Sequence, residues 1–233
     1  MQRVILITGT SKGIGKNLAL SYLDSGDIVI GCSRRDSDII HKNYRHFCLE
    51  VNDEKKVIKM VRTVKKEFLK IDILLNNAGI ASMNHFLTTS ISMVEKIFST
   101  NFIGTFLFSS EVAKVMMKQK YGKIINYTTV ASPLRLEGEA IYSSSKSAIE
   151  NFTQTISKEL ASFNITVNAI GPTPIKTDLI KAIPKEKIDE LIEKQTIKRL
   201  GTFEDIKNVI DFFIDKKSDF ITGQIIYLGG VHN

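Results

Sequence analysis

The chain has 233 residues, 43% of them hydrophobic, with four prolines and 14 glycines spread along it, which suits one α/β domain with a large core and excludes disordered, fibrous and repeat architectures. The formal charge of +7 comes from 32 Lys and Arg scattered among 25 Asp and Glu, as in EKKVIKMVRTVKKEFLK, which reads as a solvated helix face rather than a nucleic-acid patch. Cys32 and Cys48 are too few for a disulfide framework and are expected as small buried thiols; no segment has the length of a signal peptide or a membrane span, so a cytoplasmic protein is expected.

Arg3–Thr8, RVILIT, is a β-branched run closed by Gly9 and followed by the apolar-periodic Ile14–Leu23, which predicts strand, glycine-rich turn and helix. In the turn, TGTSKGIG, the glycines Gly9, Gly13 and Gly15 let the backbone bend sharply and approach a ligand. The N–H groups at the helix start offer an anion site suited to a pyrophosphate. Asp27–Cys32 is the second strand. At its end stand Ser33, Arg34 and Arg35, where an NAD-specific fold usually has an acid for the ribose hydroxyls. With Lys12 from the turn, these cations and the hydroxyl form a candidate 2′-phosphate site.

Phe47–Val51 reads as strand three, Asp53–Phe68 as a surface helix, and Ile71–Leu75 as strand four running into NNAG, Asn76–Gly79. Ser92–Lys118 reads as a long helix whose periodicity breaks around Asn101–Gly104, with the polar Asn101 among Phe98, Phe102 and Phe106. Lys123–Tyr127 is strand five, ending at Thr128 and Thr129, far enough before Tyr142 for a loop to return a hydroxyl beside it.

Ala140–Ala161 is an amphipathic helix with Tyr142 and Lys146 on one face at i, i+4 and an apolar stripe at Ala148, Ile149, Phe152, Ile156, Leu160 and Ala161. An ammonium close to a phenol favours the phenolate, so this pair is a candidate general acid/base unit. Ile165–Ile170 is strand six, followed by the loop GPTPIKTDL. Pro184–Lys194 and Phe203–Ile214 read as helices and Gln224–Leu228 as the last strand. The alternation predicts a parallel, doubly wound seven-stranded sheet with helices on both faces and a ligand site at the carboxyl ends of its strands.

With these residues placed, the chain resembles the short-chain dehydrogenase/reductase family over essentially its whole length. TGTSKGIG, NNAG, Asn101, the YSSSK of Tyr142–Lys146 and the tail from RLG through ITG to LGG arrive in the family's order. The resemblance implies a Rossmann-type domain spanning residues 1–233 and NADPH-dependent reduction of a ketone to a secondary alcohol. In it Tyr142 protonates the carbonyl oxygen, Lys146 lowers the Tyr pKa and binds the nicotinamide ribose, Asn101 holds a water in a proton relay, and Thr129 stands where the family usually has Ser.

It further implies that NADP is held by Gly9, Ser11, Lys12, Gly13, Ile14, Gly15, Ser33, Arg34, Arg35, Glu50, Val51, Asn77, Ala78, Gly79, Tyr142, Lys146, Pro172, Thr173, Ile175 and Thr177, with no metal. Three positions depart from the family pattern. Thr129 adds a β-methyl that crowds the substrate, Glu50 replaces an Asp, and Thr173 replaces a Gly.

The spacing from Thr177 to Gly201 and the lack of insertions resemble the 3-oxoacyl-acyl carrier protein reductases. That resemblance implies a small-molecule carbonyl substrate, carrier- or coenzyme A-linked, and basic docking residues of which Lys123 matches one, while Phe163 stands at another. Ser132–Glu139 is the expected substrate wall and Leu179–Leu191 the expected lid. Arg135, Glu137 and Glu139 make the wall more polar than a fatty-acyl groove needs, so a sugar-like ketone is the alternative substrate, and a catalytically weakened homologue or an epimerase or dehydratase the alternative activity. The two long helices imply a homo-oligomer, dimer or tetramer, with Phe152 and Phe163 at the interface, and no nucleic-acid or membrane partner.

Overall fold

Short β-branched runs without polar alternation are buried on both faces, and a parallel sheet covered by helices is the arrangement that achieves this. The computed structural model describes residues 2–175 and 185–232. Among these residues, strands β1 (Val4–Thr8), β2 (Ile28–Ser33), β3 (Tyr44–Cys48), β4 (Ile73–Asn76), β5 (Gly122–Tyr127), β6 (Ile165–Gly171) and β7 (Ile225–Tyr227) form one parallel sheet in the order β3-β2-β1-β4-β5-β6-β7. Ile5 of β1 lies opposite Val29 on one side and Ile73 on the other. The order reverses at β1 and β4, so a crevice opens at their carboxyl ends.

Alternate residues of β1 feed two cores. Val4 and Leu6 pack toward α2 (Glu54–Phe68) and, in chain order, the later helix Gly104–Gln119, whereas Ile5 and Ile7 pack toward α1 (Gly13–Asp24) and the helix Phe203–Ile214. The long helix expected over Ser92–Lys118 is two, α3 (Ile91–Phe98) and α4 (Gly104–Gln119), joined by a π-helical turn at Ser99–Ile103. That wide turn carries Asn101, which is fully buried. A short helix α5 (Ala131–Leu134), the long α6 (Ala140–Leu160), α7 (Lys185–Lys194) and α8 (Phe203–Ile214) complete the set among the described residues. None of the helices there is long and apolar enough to cross a membrane.

Three expectations are corrected. Strand three is Tyr44–Cys48 rather than Phe47–Val51, because the ladder closes with Leu49 N–H on Ser33 O at 3.0 Å and Asp53 then caps α2 by accepting from Lys56 N at 3.1 Å. Glu50 and Val51 therefore belong to the turn. Cys48 is exposed rather than buried, since β3 is the edge strand, and its thiol donates to Asp36 Oδ1 at 2.9 Å. Lys123 is 0% exposed, paired with the Asp219 carboxylate and 3.3 Å from Asp215 O, so it is unable to dock an acidic carrier.

The inner stripe of α6 also differs from its apolar reading. Ser145, Lys146, Ile149, Thr153 and Ser157 are its buried residues, while Phe152, Ile156 and Leu160 are only partly covered and Ala161 is exposed. Polar groups face inward because the sheet meets them with amides. Asn126 Nδ2 donates to Thr153 Oγ1 at 2.9 Å, and Asn76 Nδ2 donates to Asn126 Oδ1 at 2.8 Å and lies 2.9 Å from Ser109 Oγ on α4.

At the crevice, Gly31 of β2 is packed tightly. A Cβ there would lie 2.2 Å from Tyr44 Oη and 2.4 Å from Thr10 Oγ1, two groups hydrogen-bonded to each other at 2.9 Å. Gly31→Ala is expected to cost about 1–3 kcal/mol of stability through overpacking, read as a lowered midpoint in chemical denaturation.

Candidate active site

The end of β1 and the start of α1 are in direct contact. A Cβ on Gly15 would lie 2.3 Å from Gly9 O and 2.4 Å from Asn77 Nδ2, so only glycine lets the helix sit this close. Asn77 Nδ2 donates to Thr8 O at 2.9 Å and Gly9 O at 3.3 Å, and Ala78 N donates to Thr8 Oγ1 at 2.9 Å, tying NNAG to the glycine turn. Gly13, at φ +62°, has nothing within 4 Å of the position a Cβ would take. The first turn of α1 holds no acidic residue and Lys12 gives it no side-chain cap. Open space, uncapped N–H groups and the absence of an acid from that turn suit the pyrophosphate of a dinucleotide.

Beside this turn, the buried Ser33 hydroxyl donates to Arg35 O at 2.6 Å. His46 of β3 braces the same corner, its Nε2 3.1 Å from Ser33 Oγ and 3.0 Å from Arg35 O, its Nδ1 2.9 Å from Tyr44 Oη. Arg34 and Arg35 are exposed. Two carboxylates follow them in the loop, but Asp36 accepts from Cys48 and Asp38 pairs with Lys16 at 2.7 Å. Glu50 is exposed, and Val51 is buried against Gly104, where a Cβ would lie 2.6 Å from Val51 Cγ2.

The cleft is lined by Ile14, Asn77, Gly79, Thr129, Tyr142, Lys146, Pro172, Thr173 and Ile175 from the expected set, together with Met83, Leu136, Glu139 and residues of α7. Thr129 and Tyr142 line the same cleft, and the Thr129 side chain acts on the phenol, so the loop after β5 does return its hydroxyl to the Tyr142 side. Burial, with a smaller contribution from Glu139, pushes the Tyr142 phenol up to about 12, against the pull of Thr129. Lys146 Nζ donates to Tyr127 O at 2.7 Å. Burial pushes its ammonium down to about 8, opposed by the Glu150 carboxylate. Lys146 is not among the groups that shift the phenol in the protein alone; burial dominates there, and the downward pull comes from Thr129.

Asn101 is fully engaged. Its Oδ1 accepts from Ile80 N at 2.9 Å, and its Nδ2 donates to Ile80 O at 3.0 Å and to Ser145 Oγ at 3.1 Å. Ser145 Oγ in turn donates to Tyr142 O at 2.7 Å, so the π-turn braces the helical turn that carries the phenol. Thr173 is buried and bonded to the Gln195 side chain, whose Nε2 reaches Ile197 O and Arg199 O.

Of the expected wall, Arg135 and Glu137 are exposed while Glu139 is buried and faces the cleft. Thr177 and residues 179–184 of the expected lid lie outside the described residues; Lys187, Ile188 and Leu191 of α7 line the cleft. His46, Glu150 and Gln195 escaped the sequence reading. Glu150 was findable as the i+4 neighbour of Lys146, but nothing local marks His46 or Gln195.

Comparison with known proteins agrees with this geometry. The short chain dehydrogenase family model matches residues 3–188. The 3-oxoacyl-[acyl-carrier-protein] reductase FabG of Buchnera aphidicola is 32% identical over 235 residues, covering 98% of this chain and 96% of that protein. The FabG of Escherichia coli K12 is 30% identical over 234 residues, with the same coverage.

Among solved structures, ElxO with NADP bound superposes with a TM-score of 0.90 at 30% identity, covering 99% of this chain and 98% of that one. The ligand-free aldohexose dehydrogenase of Thermoplasma acidophilum gives 0.89 at 26% identity, covering 99% and 94%. A glycine turn on β1, a Tyr-Lys pair on a buried helix and a family match across most of the chain leave one conclusion: the chain belongs to the short-chain dehydrogenases, NAD(P)-dependent oxidoreductases.

Proposed function

We propose that this chain is an NADPH-dependent reductase converting a ketone to a secondary alcohol. The observation that carries the reading is that Thr129 and Tyr142 line one cleft together, with Lys146 buried on the next turn of the same helix. The glycine turn, Ser33 to Arg35, Gly79, Lys146 and the Pro172–Ile175 segment would hold the dinucleotide, which supplies the hydride when bound. A phenol pushed up to about 12 is protonated at neutral pH, so Tyr142 acts as the acid. Thr129 and Tyr142 donate to the carbonyl oxygen, and the Lys146 ammonium stabilises the phenolate left when the proton moves. Asn101, through Ser145, keeps that turn of α6 in place.

The FabG relatives support a 3-oxoacyl thioester as the first substrate to assay, in a coenzyme A-linked form, because the buried Lys123 offers a carrier no anchor. A polar ketone is the second reading, favoured by Glu139 in the cleft wall and by the likeness to an aldohexose dehydrogenase. Preference for NADPH is supported by Arg34 and Arg35 standing exposed at the end of β2.

Tyr142→Phe is expected to lower kcat by about 10²–10⁴-fold with NADPH binding retained, read by absorbance loss with acetoacetyl-coenzyme A; unchanged turnover would sink the reading. The profile of kcat/KM against pH should fall as pH rises through about 8, where Lys146 loses its proton. Glu150→Gln removes the carboxylate that holds that proton and should move this limb to lower pH; a limb that stays or moves up counts against the assignment. Replacing Arg34 and Arg35 together by Ala should weaken NADPH by about tenfold or more in fluorescence titration while leaving NADH unchanged.

A further inference from the structure

The cleft holds one carboxyl group that the reaction above does not use. Glu139 stands immediately before α6 and three residues ahead of Tyr142, is only 9% exposed, and lines the cleft with Tyr142, Thr129 and Lys146. Its backbone is accounted for, since Glu139 N donates to Leu136 O at 3.2 Å and Glu139 O accepts from Ser143 N at 2.7 Å. Its side chain is not. Among the described residues no donor and no cation meets the carboxyl, and burial alone pushes it up to about 7. The ammonium of Lys187, in the same cleft, is taken by Glu190 Oε2 at 3.0 Å, and Arg135 and Glu137 turn to solvent.

The surrounding wall is largely apolar, with Ile80, Met83, Val130, Leu136, Ile188 and Leu191. The carboxyl faces the open cleft, where solvent meets it; a plain acyl chain filling the cleft would remove that solvent and leave the group in an apolar wall with no donor among the described residues, which is costly. A fold that keeps this group at its reaction site fits a ligand that brings the missing donor. The donor belongs on the ligand near its reacting carbonyl, because Glu139 lines the cleft together with Tyr142 and Thr129. A hydroxyl suits better than an ammonium. It carries no charge to desolvate in an apolar cleft, and it donates to a carboxyl group in either protonation state.

We infer that Glu139 is a substrate-recognition residue that accepts a hydrogen bond from a hydroxyl beside the reacting carbonyl, making the preferred substrate class hydroxy ketones rather than unsubstituted acyl chains. This deepens, and rests on, the carbonyl-reductase reading of the same cleft. The test compares matched pairs in the wild type, Glu139→Gln and Glu139→Leu. NADPH oxidation is followed with 1-hydroxy-2-hexanone against 2-hexanone. In parallel, calorimetry measures binding of 1,2-hexanediol against 2-hexanol in the presence of NADP.

The wild type should favour the hydroxylated member by about tenfold or more in kcat/KM and in Kd. Glu139→Leu should bring both ratios to about one, and Glu139→Gln, which keeps an acceptor, should retain part of the preference and stands in if the Leu variant does not fold. A wild-type ratio near one, or a ratio unchanged in the variants, overturns the proposal. If no ketone is reduced, the reductase reading falls, and the diol-to-alcohol binding ratio still decides the role of Glu139 by itself.

Discussion

A row of buried amides and hydroxyls sets where α6 rests on the sheet. From Ser109 through Asn76 and Asn126 to Thr153, each group meets the next at 2.8–2.9 Å. Each such bond adds only about 0.5–1.5 kcal/mol net, but sliding the helix by a residue would strand buried polar groups at about 1–3 kcal/mol apiece. The asymmetry makes the row a register device. A second brace runs from Ile80 through Asn101 and Ser145 to the backbone of Tyr142, and the π-turn between α3 and α4 is what brings Asn101 inward to make it. Together they hold the Tyr-Lys face of α6 against the loop that carries Thr129.

Burial then sets the chemistry of that face. Removing water disfavours whichever form is charged, so it pushes the phenol of Tyr142 up and the ammonium of Lys146 down. The upward shift keeps the phenol protonated at neutral pH, as the proposed reduction needs, while the downward shift works against the ammonium that would receive the phenolate. Carboxylates tune both groups, Glu150 by supporting the ammonium and Glu139 by opposing the phenolate. Perturbed groups gather here because this is where the sheet's carboxyl edge opens a cleft.

The same physics explains the charges that turned out to be structural. Lys123 lies at the start of β5 between two other strands, so its ammonium is sealed in and paired with Asp219, and its likeness to a docking residue in the sequence carried no information about exposure. Cys48 shows the converse. Its neighbours suggested a buried strand, but an edge strand has one open side, and the thiol lies exposed there with Asp36 as its acceptor.

The sheet, its order of elements and most of the cleft lining were legible in the chain because their signals are local. β-branched runs mark strands, Gly9, Gly13 and Gly15 mark a turn pressed against a helix, and i, i+4 spacing puts Tyr142 and Lys146 on one face. The bounds of β3 were missed because the cap at Asp53 and the pairing to β2 compete over Glu50 and Val51.

By itself, then, the sequence determined the types and order of the elements and the motifs that meet at the carboxyl edge. Only the tertiary structure decided which polar side chains enter the interior, among them Asn126, Thr153, Lys123 and Glu139. Water is removed from a side chain by residues far away in the chain, and a polar group is tolerated there only where a distant partner or an open cleft meets it.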